Sequence, residues 1–254
     1  SVKNAPACLP VRQAGRKGRE ARWSSVREDS AISWPAPTIR SAKTLRRLRL
    51  DKILTNPNFS EADKALIQKA YLTAEKAHQN QKRSSGEPYI THPLSVAYFL
   101  SELGLDSTTI AACLLHDTIE DTTLTRADLE KEFGKEVAFL VDGVTKLNKI
   151  EYSDSSRNEA GKSTANKKSQ VDHLNSLKKM IFAMAEDIRV ILIKLADRYH
   201  NMETLKYLDK INQKRIALET MEIYAPIAAR LGMGRLKGQL EDMAFPYVYP
   251  AEYA

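Results

Sequence analysis

The chain has only two cysteines, Cys8 and Cys113, in 254 residues. That is too few for a disulfide framework, and their separation fits no zinc-finger spacing. No run approaches the ~18 apolar residues of a membrane span, and the start lacks the apolar core of a secretory signal. Glycine and proline together are scarce, 10 of each, which excludes a collagen-like composition. Alternating strand patterns are missing as well: one β-branched run, Arg189–Ile193, lies inside a longer helical period. The expectation from these absences is a soluble protein of a reducing compartment, cytoplasmic, with no membrane partner.

What is present is an ordinary apolar share of 43%, in a chain long enough to bury a full hydrophobic core. The net charge of +7 is unevenly spread. Residues 1–58 carry 13 Lys/Arg against 4 Asp/Glu, so the basicity belongs to the front of the chain and the remainder is slightly acidic. Residues 1–41 read as a basic, irregular leader, with Pro35 and Pro37 and no sustained periodicity. Such a leader is a solvated tail, a surface for nucleic acid or anionic membrane, or an organelle transit peptide; a solvated tail is the reading adopted, and nucleic acid is not required.

Residues 42–254 read as one all-α domain. A turn or two of helix is expected at Ala42–Leu50, followed by a helix over Glu61–Gln81 capped by Ser60, with Ile67, Ala70, Tyr71 and Ala74 on its apolar stripe. Further helices are expected at Pro93–Leu103, Ser107–Ile119, Arg126–Phe133 and Lys135–Leu147, the third of these opened by a Thr125/Asp128 capping box. Serines and asparagines from Glu151 onward predict a flexible loop near 151–170. Helices resume at Leu174–Met184, Ile188–Leu208, Gln213–Leu231 and Arg235–Ala244.

Three segments carry chemistry. In Leu114-Leu115-His116-Asp117-Thr118-Ile119-Glu120-Asp121, four ionisable groups directly follow a run that reads as buried. That placement is costly unless a charge partner arrives, and a divalent metal is such a partner; solvation of a helix end is the plainer alternative. On the expected helix His116 and Glu120 share a face, and Asp117 and Asp121 share the adjacent one. In Ile193-Lys194-Leu195-Ala196-Asp197, a second acid ends an apolar run, with Asn201 and Thr204 on the same helical face. Asp197 could instead pair with Lys194 or Arg198, and His200 sits off that face in a packing or supporting position. In Arg83-Ser84-Ser85-Gly86-Glu87-Pro88-Tyr89-Ile90-Thr91-His92-Pro93, a donor-rich turn delivers His92 to a helix start, with Arg83 and Ser85 suited to grip a phosphate. His78 reads as a packing histidine.

The order His…His-Asp…Asp resembles the HD-domain metal phosphohydrolases. The stretches RSSGEPYITHPLSVA, AACLLHDTIEDTTLT, FGKEVAFLVDGVTKL, DIRVILIKLADRYHNMETL and ETMEIYAPIAARLGMGRLKGQLEDMAF are similar, more closely still, to the N-terminal hydrolase domain of the Rel/SpoT family. The resemblance implies a single HD-domain helical fold and one Mn(II) ion held by His92, His116, Asp117 and Asp197. It implies Glu120 and Asp121 as the catalytic acids, and Arg83, Ser85, Asn201, Thr204 and Lys214 as substrate contacts. The implied reaction is hydrolysis of the 3′-pyrophosphate of guanosine tetra- or pentaphosphate, giving GDP or GTP and pyrophosphate. The end of the chain resembles the boundary where long family members continue into a synthetase domain, so synthetase and regulatory domains are expected partners in a longer protein, and no synthesis is expected of this segment. Departures from the family's pattern are Ser84 where Lys is usual, Tyr199 for Leu, Glu203 for Arg, and NSLKKM up to Met180, which lacks the usual Glu-Asn pair and follows a longer serine-rich insertion.

Overall fold

The computed structural model describes residues 42–157 and 186–253. The expected leader, the rest of the expected loop beyond Arg157, the helix expected at Leu174–Met184 and Cys8 lie outside the described residues. Within them the protein is helical, with no sheet and one isolated antiparallel bridge between Lys82 and Pro88. Among the described residues no helix is long and apolar enough to cross a membrane.

The helices are α1 (Ala42–Leu54), α2 (Glu61–Ala77), α3 (Thr91–Glu102), α4 (Ser107–Leu115), the single turn α5 (Thr118–Asp121), α6 (Arg126–Phe133) and α7 (Lys135–Arg157). After the undescribed segment come α8 (Ile188–Glu203), a 3₁₀ turn (Leu205–Tyr207), α9 (Lys210–Glu219), a π turn (Thr220–Tyr224), α10 (Ala225–Arg230), α11 (Gly234–Val248) and the short α12 (Pro250–Tyr253).

Helix α4 is the axis of the core. Ile110 through Leu115 are all buried, and the helix packs on α2, α3, α7 and α8. A helix that is apolar all round has to be enclosed, and enclosure fixes where its last residue ends. Local chemistry sets the helix starts where short sequence patterns predict them. Ser60 and Asp63 form one capping box and Thr125 and Asp128 another, and Asp106 accepts from the Thr109 amide to open α4.

The helix expected over Ser107–Ile119 is broken. It stops at Leu115 because two side chains take the carbonyls that would continue it: the His116 ring nitrogen Nδ1 lies 2.7 Å from the Cys113 carbonyl, and the Thr118 hydroxyl donates to the Leu115 carbonyl at 2.7 Å. Glu120 and Asp121 therefore sit on a separate turn, not one helical turn above His116. The loop expected from Glu151 is not found over residues 151–157, where α7 continues to Arg157. Serine lowers helix propensity only by tenths of a kcal/mol, roughly, and no glycine or proline interrupts residues 148–157. The helix expected over Gln213–Leu231 is interrupted by the π turn. Pro226 has no N–H to donate, and the Ala225 amide reaches back to the Thr220 carbonyl, one residue further than an α-helical bond.

Candidate metal centre and substrate cleft

Three chain segments converge where α3 begins, α4 ends and α8 passes. His92 lies in the first turn of α3, His116 and Asp117 occupy the break after α4, and Asp197 projects from the middle of α8. All four are buried. Donor atoms of His92, His116 and Asp117 lie within 4.8 Å of one another, close enough to share one cation. Asp197 adjoins this group, its Oδ1 being 3.0 Å from His92 Nε2.

Hydrogen bonds set the state of each donor. His116 Nδ1 faces the Cys113 carbonyl, so in a neutral ring it carries the proton and donates there, leaving Nε2 as a bare lone pair. That Nε2 is buried without a hydrogen-bond partner, yet it lies 3.1 Å from Asp117 Oδ1. The contact is close but lacks hydrogen-bond geometry. Two lone-pair atoms so near each other favour a cation between them, and the donor set fits a divalent ion. His92 is held neutral: burial above all, then Arg83, lowers its pKa to about 4 against the pull of Asp197. A neutral imidazole is the form that binds metal. Its Nδ1 lies 2.8 Å from His200 Nδ1, so His200 supports His92 from behind, and burial with neighbouring His92, Arg83 and Arg49 also keeps His200 well below the usual histidine range.

Asp197 accepts from Lys194 and Asn201 and faces His92. Burial pushes its carboxyl up, but Lys194, then His92, outweigh burial and hold it well below the ordinary range. Lys194 Nζ is 3.0 Å from Oδ2 and Asn201 Nδ2 is 2.7 Å from Oδ1. The pairing with Lys194 is thus real, and the same carboxylate still borders the metal-binding group; Arg198 turns instead to Glu219 at 3.0 Å.

A cleft of about 760 Å³ opens from this centre. Asp117, Glu120, Asp121 and Asp197 lie on its walls, as do Lys82, Arg83, Arg198 and Arg215, with Ile119, Tyr207, Leu208 and Ile216 as apolar surface. Arg83 Nη2 donates to Asn201 Oδ1 at 2.6 Å, joining the turn before α3 to α8. Ser85 lines the cleft with its buried hydroxyl lacking a hydrogen-bond partner, and Thr204, which caps α8, lines it too. Lys214 is exposed and absent from the wall, which Arg215 lines in its place.

Tyr89, Gln81, Lys194 and Arg215 were not predicted as site residues. Tyr89 donates toward Asp117 Oδ2 at 2.7 Å and Asp121 Oδ2 at 3.0 Å, and burial followed by these two carboxylates pushes its pKa well up, so it remains a donor. Its ring stacks on His78 at 4.6 Å, which makes His78 a buried part of the site's frame. Gln81 donates to the Asp121 carbonyl at 2.7 Å. The nearest sequence signal for Tyr89 was its position three residues before His92.

The HD domain family model matches residues 70–234. The chain is 50% identical over 187 residues to the bifunctional (p)ppGpp synthase/hydrolase SpoT of Escherichia coli strain K12, covering 74% of this chain and 25% of that protein. It is 48% identical over 205 residues to a guanosine-3′,5′-bis(diphosphate) 3′-pyrophosphohydrolase of Aquifex aeolicus, covering 80% of this chain and 26% of the relative. It is 47% identical over 198 residues to a GTP pyrophosphokinase of Streptomyces coelicolor, covering 78% and 22%. The chain thus spans about a quarter of the length of the curated relatives it matches. A solved structure of a metazoan ortholog of SpoT that hydrolyses ppGpp shares the fold, with a TM-score of 0.52 at 22% identity, over 73% of this chain and 96% of that one.

Proposed function

Because the chain belongs to the HD-domain hydrolases of the Rel/SpoT family, we propose that it hydrolyses the 3′-pyrophosphate of guanosine tetra- and pentaphosphate with Mn(II) as cofactor. The observation that carries this reading is the bare, buried Nε2 of His116 facing Asp117 and His92, beside two acids that the cation does not need. His92, His116, Asp117 and Asp197 hold the ion. A divalent cation there supplies Lewis acidity and offsets the phosphate charge.

Glu120 and Asp121 orient the attacking water and take its proton. The water oxygen bonds to the phosphorus attached to the ribose 3′ oxygen. The P–O3′ bond breaks, the 3′ oxygen leaves with a proton, and pyrophosphate is released. Arg83 and Ser85 grip the phosphates from the turn before α3, while Asn201 and Thr204 position the nucleotide with neutral hydrogen bonds. Arg215 replaces Lys214 in this reading, because it is the basic residue of α9 on the cleft wall. Synthase activity is named for the Escherichia coli relative and is not part of this proposal. The protein works without nucleic acid or membrane, in the cytoplasm.

The test is turnover of ppGpp with Mn(II), run beside GTP, dGTP and cyclic nucleotides. Loss of ppGpp with stoichiometric GDP and pyrophosphate is expected. Equal turnover of the comparison nucleotides, or release of orthophosphate instead, would overturn the substrate assignment.

A further inference from the structure

We infer that Tyr89 is a positioning residue of the metal centre: its hydroxyl occupies one oxygen of Asp117, leaving the other for the cation, and ties Asp121 to the same point. The inference rests on the reading of Asp117 as a metal ligand and goes beyond it.

The two oxygens of Asp117 have different neighbours. Oδ1 lies 3.1 Å from the bare His116 Nε2, on the side where a shared cation fits. Oδ2 receives the Tyr89 hydroxyl at 2.7 Å and lies 3.9 Å from His92 Nε2, farther than the 3.1 Å between Oδ1 and His116 Nε2. A carboxylate with one oxygen so engaged offers the other as a single donor and is held against rotation. The same hydroxyl lies 3.0 Å from Asp121 Oδ2. Two like-charged carboxylates brought to one point repel each other, and a shared donor between them offsets that repulsion.

The hydroxyl is held in place by its ring. Tyr89 stacks on buried His78 at 4.6 Å, nearly parallel at 20°. His78 Nδ1 is 2.7 Å from Gln81 Oε1, the Tyr89 amide donates to the Gln81 carbonyl at 3.0 Å, and the Gln81 side chain donates to the Asp121 carbonyl at 2.7 Å. Asp121 is thereby fastened through both backbone and side chain. Donors that fix a ligand's orientation without touching the metal typically change its affinity by about 10–100-fold when removed.

Tyr89→Phe keeps the stacked ring and removes only the hydroxyl. Mn(II) binding is read from the free-ion electron paramagnetic resonance signal during titration, with a circular dichroism melt to confirm that the variant folds as the wild type does. Mn(II) affinity is expected to fall by about 10-fold or more. The kcat on ppGpp should fall, with KM changed by no more than about twofold, since Arg83 and Asn201 are untouched. Asp121→Asn is expected to lower kcat while keeping Mn(II). The double variant should bind Mn(II) like Tyr89→Phe and lose less turnover than the product of the single losses, as groups acting through each other do. Wild-type Mn(II) affinity in Tyr89→Phe overturns the inference, whatever turnover does. If the wild type binds Mn(II) without hydrolysing ppGpp, and Tyr89→Phe weakens that binding, the substrate reading fails and the inference stands.

Discussion

Replacing Lys194 by Met tests whether Asp197 belongs to the metal centre or only to an ion pair. Lys194 and Asp197 are 5% and 4% exposed, and their charged atoms are 3.0 Å apart. Methionine fills a similar volume without the charge. Stripping one partner from a buried pair costs about 3–5 kcal/mol, because the other charge is left without compensation. Asp197 would still accept from Asn201 at 2.7 Å and face His92 at 3.0 Å, so the loss belongs near the lower end. For a domain of this size about 3 kcal/mol corresponds to a Tm roughly 6–12 °C lower.

A cation reverses this if Asp197 is a ligand. At 100 times its dissociation constant, a bound ion stabilises the wild type by about 2.7 kcal/mol. In Lys194→Met the ion also supplies the charge that Lys194 no longer gives Asp197, so its stabilisation should be larger by about 1–2 kcal/mol, a further shift of roughly 2–8 °C. The assay is differential scanning calorimetry of both proteins, metal-free and with Mn(II). A variant that melts like the wild type without metal would refute the buried pair. A metal-induced shift no larger than that of the wild type would remove Asp197 from the metal centre.

Glu120→Gln should retain Mn(II) while lowering ppGpp turnover by about 10²–10⁴-fold; loss of metal in step with activity would make Glu120 a ligand or its support. Arg83→Ala should raise KM by about 10–100-fold, more than it lowers kcat, and equal effects on both would place Arg83 in the chemical step instead. Glu203 has its pKa raised to about 7 by burial, opposed by Arg49. Its folded form prefers the proton, so the stability present below about pH 4.5 is lost as pH rises through about 7. Glu203→Gln should remove that loss, raising stability at pH 8 by about 1–2 kcal/mol after allowing for solvent screening and by little at pH 4; urea denaturation at the two pH values checks the sign. Deleting residues 1–40 should leave saturated turnover within about twofold, and a fall of about tenfold with metal content intact would make the leader part of the active machinery.

The features legible in the sequence are those set by a few adjacent residues. The Ser60 and Thr125 caps depend on side chains three residues apart, and the apolar runs ending in His116-Asp117 and Asp197 mark where buried helices meet ionisable groups. The break after Leu115 escaped that reading, because helical periodicity continues through it while the His116 and Thr118 side chains divert the carbonyls. Tyr89 and Gln81 escaped it because their partners, Asp117 and Asp121, lie 28 to 40 residues away. Lys214 and Arg215 differ by one step of helical phase, about 100°, which a short basic segment does not fix without the start of α9 at Lys210.

The structure divides its acids by how firmly they are held. Asp117 and Asp197 are buried among packed helices, where each carboxylate oxygen has a specific neighbour. Glu120 and Asp121 stand on a four-residue helix, too short to be stable by its own backbone bonds. Its position comes from elsewhere: the Thr122 hydroxyl donates to the Thr118 carbonyl at 2.6 Å, and Gln81 and Tyr89 donate to Asp121. The segment from Gln81 to Tyr89 also carries Arg83 and Ser85 on the cleft wall. One short turn, closed by the Arg83 amide bond to the Glu87 carbonyl at 2.9 Å, therefore joins the groups suited to grip phosphate to the groups that fix the nearby acid.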